Sequence, residues 1–176
     1  MLDSLSLPTT VSTRNGELLI RRARPDDVRA ILDLLADDEI TVRRGDVAAP
    51  EDEPLYRAAL ERILATPGND LITAELGGRI VGTLQLTLIP GMARRGSLRL
   101  LVEAVRVASA ERSGGLGSAL LRWVMDEATA QLGAEQVQLT SSAARTDARR
   151  FYLRLGFLDS HVGFKYRVPA ASTPVD

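Results

Sequence analysis

The apolar run "LRLLVEAVRV", Leu98 to Val107, leads through a glycine cluster straight into an apolar helical stripe. No other feature restricts the fold of this chain as much. A strand that is apolar on both of its faces needs cover on both sides, which marks a central strand. After Gly114, Gly115 and Gly117, the residues Leu116, Ala119, Leu120, Trp123, Val124 and Ala128 recur at helical spacing, and Gly133 ends the stripe. Trp123 reads as core. Strand, tight turn and helix in this order are the middle of a layered α/β structure. The turn also suits an anion. The first N–H groups of a helix lack internal acceptors, the macrodipole favours negative charge, and glycine lets a ligand come close. Arg112 adds a cation at the mouth. The turn fits a phosphate or pyrophosphate, and the alternative is a tight turn that holds nothing. The G-x-G-x-x-G and P-loop patterns are both absent.

The rest of the chain fits around this unit. Residues 1–16 read as a flexible leader rich in Ser, Thr and Pro. "ELLIRRA" reads as a strand. Pro25, Asp26 and Asp27 start a helix that carries Val28, Ile31, Leu32 and Leu35. A polar loop, "DDEITVRRGDVAAPEDE", precedes a second helix from Pro54 to Leu64. "LITAEL", Gly77-Gly78 and "RIVGTLQLTLI" form a hairpin, because paired glycines permit the positive φ of a tight turn. "PGMARRG" is a loop and "EQVQLTS" a strand. Asp147 to Leu155 is a short helix stopped by Gly156, and "FLDSHVGFKYRV" returns as a final strand. Residues 169–176 read as a disordered tail.

Composition narrows the function. The 176 residues suffice for one domain with a real core. A formal net charge of -1 gives no sign of a nucleic-acid or membrane partner. The absence of cysteine removes disulfides, thiolate metal sites and a cysteine nucleophile, and is compatible with a reducing cytoplasm. With His161 as the single histidine, no all-histidine metal site can form within one chain, and no metal is expected. No apolar run reaches the roughly 20 residues of a membrane span. The N-terminus lacks the basic start and apolar stretch of a secretory signal.

The segment "VRVASAERSGGLGSALLRWVMDEA", followed by "FYLRLGF", resembles the GCN5-related N-acetyltransferase (GNAT) family. That family carries Arg/Gln-x-x-Gly-x-Gly/Ala at the start of its central helix; here it is Arg112-Ser113-Gly114-Gly115-Leu116-Gly117. The resemblance runs over residues 17–168 in element order and is sharpest over 98–157. It implies a single GNAT-like α/β (α+β) domain. The sheet would be mixed and mostly antiparallel, with splayed central strands and helices on both faces. It implies acetyl-CoA as cosubstrate, its pyrophosphate held by the amides of Ser113, Gly114, Gly115, Gly117 and Ser118. The pantetheine arm would lie along the backbone of Val105 and Val107, with Arg106 between them. Tyr152 matches the tyrosine that stands near the thioester sulfur as general acid. Where the family often has Asn, three residues before Ala148, this chain has Arg145. Either Arg145 reaches a phosphate, or Ser142 or Asp147 takes the contact, or Arg145 is solvated. Arg149 and Arg150 read as surface charges, one of which could meet the 3′-phosphate of coenzyme A.

Glu103 interrupts the central strand. A carboxylate is costly to bury there without a partner. It reads either as a general base for the substrate ammonium, its pKa raised by burial, or as half of a buried ion pair with Arg99 or a residue of a neighbouring strand. Arg106, three residues on, faces the other way unless a bulge intervenes. His161 reads as a partly buried strand residue that could line the acceptor pocket. Arg43, Arg44, Arg94 and Arg95 read as loop charges. "PGMARRG" and the first helix pair are where relatives bind acceptors.

Two functions fit. One is an enzyme in which Glu103 deprotonates a small-molecule amine or peptide acceptor, backbone N–H near Val107 polarises the acetyl carbonyl, and Tyr152 protonates the thiolate. The other is a non-catalytic acyl-CoA-binding regulatory or scaffold module. Keeping both Tyr152 and Glu103 favours the enzyme. The acceptor, the acyl length and homodimerisation, which is common in relatives, are not legible.

Overall fold

The computed structural model describes residues 2–38 and 49–168. The chain forms two compact units, one ending at Leu139 and the other starting at Thr140. The first holds a six-stranded sheet whose spatial order follows the sequence: β1 (Thr9–Thr13), β2 (Gly16–Arg22), β3 (Asn69–Leu76), β4 (Arg79–Pro90), β5 (Leu98–Val107) and β6 (Gln136–Leu139). The first five strands are antiparallel neighbours, and β5 pairs with β6 in parallel. That switch needs a crossover, supplied by a helix that begins at Leu116, widens into a π-helical turn over Trp123–Ala128 and ends at Leu132. We call this helix α3. Helices α1 (Val28–Ala36) and α2 (Glu53–Ala65) lie between β2 and β3 in the chain. Among the described residues no helix is long and apolar enough to cross a membrane.

Local chemistry explains most elements. Gly77 (φ 57°) and Gly78 (φ 78°) both take the left-handed conformation that the β3–β4 turn requires. Leu100 and Val102 of β5 are buried, as are Leu116, Leu120, Leu121, Trp123 and Val124 of α3. Helix and central strand thus bury the apolar residues that the sequence sets side by side.

Three expectations change. Residues 2–13 are not loose: Leu2 and Leu5 are buried, Ser6 N–H donates to Gln131 at 2.7 Å, and β1 pairs with β2. The β-branched run Thr9–Thr13 carried that signal. The stretch from Phe157 to Val168 forms no strand. Val162, Phe164, Tyr166 and Val168 alternate as a strand would, but among the described residues no strand pairs with them, and each is at least 80% exposed. Alternation supplies an apolar face, whereas a strand also needs a hydrogen-bonding edge. In "PGMARRG", Arg94 and Arg95 both have positive φ, so the loop turns left-handed ahead of β5. Most of the loop after α1, with Arg43 and Arg44, lies outside the described residues.

A charged cluster joins the α1 entry to the sheet. Arg21 donates to Asp27 at 2.7 and 2.9 Å and to Glu75 at 2.5 Å. Asp27 also accepts the Arg24 amide at 2.6 Å. Burial pushes the Asp27 carboxyl up, but the Arg21 and Arg24 hydrogen bonds and their positive charge outweigh it and hold it below its ordinary value. Its stabilisation is therefore present above the unfolded pKa and is lost as pH falls through the lower folded value. Asp27→Asn is expected to cost about 2–3 kcal/mol at pH 7. Urea titrations should show the gap to wild type shrinking below about pH 4; a constant gap would contradict this assignment.

Candidate active site

Strands β5 and β6 share only four register pairs, Arg99–Gln136 through Val102–Leu139. Beyond Val102 the side of β5 away from β4 has no strand partner among the described residues. This open edge lies at the carboxyl end of a strand with a parallel neighbour, the end where α/β sheets place ligands. On the other side, the register of β5 with β4 slips. Gln85 faces Glu103 and Thr83 faces Arg106, so two residues of β5, Ala104 and Val105, match Leu84 alone. Ala104 has φ 50°, a left-handed value costly to any residue with a Cβ. This is a β-bulge, and it puts Glu103 and Arg106 opposite residues of one β4 face.

The strand ends in the glycine turn. Ser113 (φ 71°) and Gly115 (φ 83°) are left-handed on either side of Gly114, an alternation that gathers amides into a concave nest. The amides of Leu116, Gly117 and Ser118 lie in the first helical turn, where the helix offers no acceptors. The Gly114 amide differs from expectation: it closes the turn onto the Glu111 carbonyl at 3.3 Å. A Cβ on Gly115 would meet no atom within 4 Å, so the nest has room above it.

The turn is held from outside. Glu111 accepts from Asn15 at 3.3 Å and from Arg79 at 3.1 Å. Asp37 accepts the Ser109 amide at 2.5 Å. Arg112, expected as a phosphate-binding cation, instead donates to the carbonyls of Val107 at 3.2 Å and Asp37 at 2.7 Å. It staples the strand end to the α1 terminus. The sequence reading missed Asn15, Asp37 and Arg79. Asn15 carries only an Asn-Gly turn signal, and nothing local to any of the three points to residues so distant in the chain.

Glu103 is exposed, so the burial argument made for it from sequence fails. It forms no ion pair among the described residues, and Arg99 bonds Gln138 at 2.9 Å instead. Val105, Arg106 and Val107 are half-buried along the open edge. The Val105 carbonyl accepts from the Arg106 guanidinium at 2.9 Å. The first unit thus brings together Glu103, Val105 to Val107 and Arg112 to Ser118.

The second unit carries helix α4 (Thr146–Arg154). Tyr152 is half-buried, its ring 5.3 Å from Phe151 and 5.8 Å edge-on from Phe157. Gly156 (φ 96°) ends the helix, and the Phe157 amide returns to the Tyr152 carbonyl at 3.1 Å. Arg145 caps α4, its carbonyl accepting from Arg149 N–H at 3.0 Å. Arg149 and Arg150 are exposed and pair with Asp159 and Asp147. His161, expected to be partly buried, is exposed beside Ser160.

Comparison with known proteins agrees with this geometry. The chain matches the Acetyltransferase (GNAT) family over residues 28–157 and belongs to it. It is 33% identical over 113 residues to an aminoalkylphosphonate N-acetyltransferase of Salmonella typhimurium, covering 64% of this chain and 72% of that one. It is 27% identical over 151 residues to the L-amino acid N-acetyltransferase AaaT of Escherichia coli, covering 86% and 89%. Among solved structures, a Bacillus halodurans C-125 protein described as a transcriptional regulator superposes with a TM-score of 0.77 and 37% identity, over 86% of this chain and 99% of its own.

The bulge geometry is testable on its own. Glycine in an ordinary strand costs roughly 0.5–1 kcal/mol. At the left-handed Ala104 that cost is offset, so Ala104→Gly should leave stability unchanged or raise it by up to about 1 kcal/mol. A clear loss in chemical denaturation would contradict the bulge.

Proposed function

We propose that this chain moves the acetyl group of acetyl-CoA to a primary amine by direct attack, with no covalent enzyme intermediate. The carrying observation is the amide nest of Ser113 to Ser118, which stands at the end of the strand that parts from its parallel neighbour. A pyrophosphate fits that nest: its concavity is lined by N–H groups and has open space above Gly115. Acetyl-CoA supplies an activated acyl carbon and a sulfur leaving group. The amides of Ser113, Gly115, Gly117 and Ser118 bind the diphosphate, and Arg112 keeps their turn in place. The free edge of Val105 to Val107 offers backbone groups to the pantetheine arm.

The exposed carboxylate of Glu103 takes the proton from the ammonium, directly or through water. The Tyr152 phenol gives a proton to the departing sulfur without first needing a charge. The acceptors in the two relatives' names, aminoalkylphosphonates and L-amino acids, support an amine as nucleophile.

Thiol release from acetyl-CoA, measured over a panel of amines with mass analysis of the products, tests the reading. Acetylated amine should appear with purified protein and not without it. Tyr152→Phe should slow turnover by roughly a hundredfold while coenzyme A binding is unchanged. Normal turnover by that variant would remove Tyr152 as the acid. Glu103→Gln should lower kcat/KM by roughly a hundredfold or more with coenzyme A binding unchanged, and wild-type kcat/KM would assign the base elsewhere.

A further inference from the structure

A cavity of about 140 Å³ lies between α1, α2 and the sheet. Val28, Ile31 and Leu32 of α1 line it, with Ala59, Leu60 and Ile63 of α2. Its strand side reaches Thr83, Gln85 and Ala104, the residues of the bulge. Among the described lining residues there is no charged side chain. Gln85 stands directly opposite Glu103, and cross-strand partners share a face. The carboxylate assigned as base therefore stands on the cavity's side of the sheet.

From this juxtaposition we propose that the acceptor is a primary amine bearing a small apolar group, which fills this cavity and leaves the nitrogen at the bulge beside Glu103. The chemistry of transfer rests on the acetyltransferase reading; the cavity's preference for an apolar group does not. An apolar cavity of roughly 150 Å³ accommodates a benzene-sized molecule, so the group has about five or six carbon atoms. Arg106 stands opposite Thr83 and so on the cavity's side of the sheet as well, but it is not among the described lining residues. A charged phosphonate inside the apolar lining would lose its hydration, so the cavity itself favours an apolar group. The floor fits an apolar group as well: the Thr83 hydroxyl is already spent on the Ile72 carbonyl at 2.9 Å.

The test uses straight-chain amines from ethylamine to octylamine, with 2-aminoethylphosphonate beside them. Each buried methylene should raise kcat/KM roughly fourfold until the cavity is full. The gain should stop near pentylamine, and 2-aminoethylphosphonate should be the poorest acceptor. Ala59→Leu adds volume inside the cavity and suits a helix, so it should remove the chain-length dependence and leave acetyl-CoA affinity unchanged. Calorimetry of pentylamine against wild type and Ala59→Leu reads the site without turnover. Binding lost in the variant supports the cavity, even if acetyl-CoA fails to bind and the transferase reading falls. Equal pentylamine binding by both proteins, no binding to wild type, or a preference for 2-aminoethylphosphonate would overturn the proposal.

Discussion

Everything in the candidate site depends on β5 and β6 ceasing to pair after Val102 and Leu139. Parallel strands that stayed zipped would satisfy their own backbones and leave no room for a ligand. Past that point one edge of β5, Glu103 to Val107, has no strand partner among the described residues. The chain then has to cross from β5 to β6, and it does so through α3, whose N-terminus follows the end of β5. The glycine turn is the joint between the two. Ser113 and Gly115 take left-handed values there because the chain reverses within a few residues.

That geometry is supported from a distance. Asn15 and Arg79 hold Glu111, while Asp37 and Arg112 tie the strand end to α1. The nest is thus presented by a framework that would have the same shape without a ligand. Preorganisation of this kind lowers the entropic cost of binding. The strained Ala104 belongs to the same design: its bulge turns β5 so that Glu103 and Arg106 share a face, and costs local backbone energy that the surrounding sheet offsets.

The strand, the glycine turn and the helix that follows it were legible in sequence because their chemistry is local. The glycines, the apolar run and the helical stripe are contiguous, and each obeys a short-range rule. The same holds for the Gly77-Gly78 hairpin and for the helix that ends at Gly156. What escaped was set by contacts far apart in the chain. Arg112 looked like an anion ligand because its sequence neighbours say nothing of the Asp37 carbonyl. Glu103 looked buried because its strand is apolar, but it shares the half-exposed face of Arg99 and Leu101, opposite the buried Leu100 and Val102. The 157–168 stretch had the alternation of a strand, but pairing is a property of two segments and cannot be read from one. The acceptor side has no motif at all. The cavity proposed for it is lined from two helices and three strands, and is visible only once they pack.

The central claim is that the glycine turn cradles a diphosphate. Calorimetric titration of acetyl-CoA into wild type and Gly115→Glu tests it most directly, with thermal melts to show that both proteins are folded. No atom stands within 4 Å of a Cβ at Gly115, but its φ of 83° strains any side chain, so the melts decide whether the variant is folded; its carboxylate would repel the anion. The account predicts binding by wild type and none by the folded variant. Equal binding by both, or none by a folded wild type, would contradict it and reduce the turn to a tight connection between strand and helix.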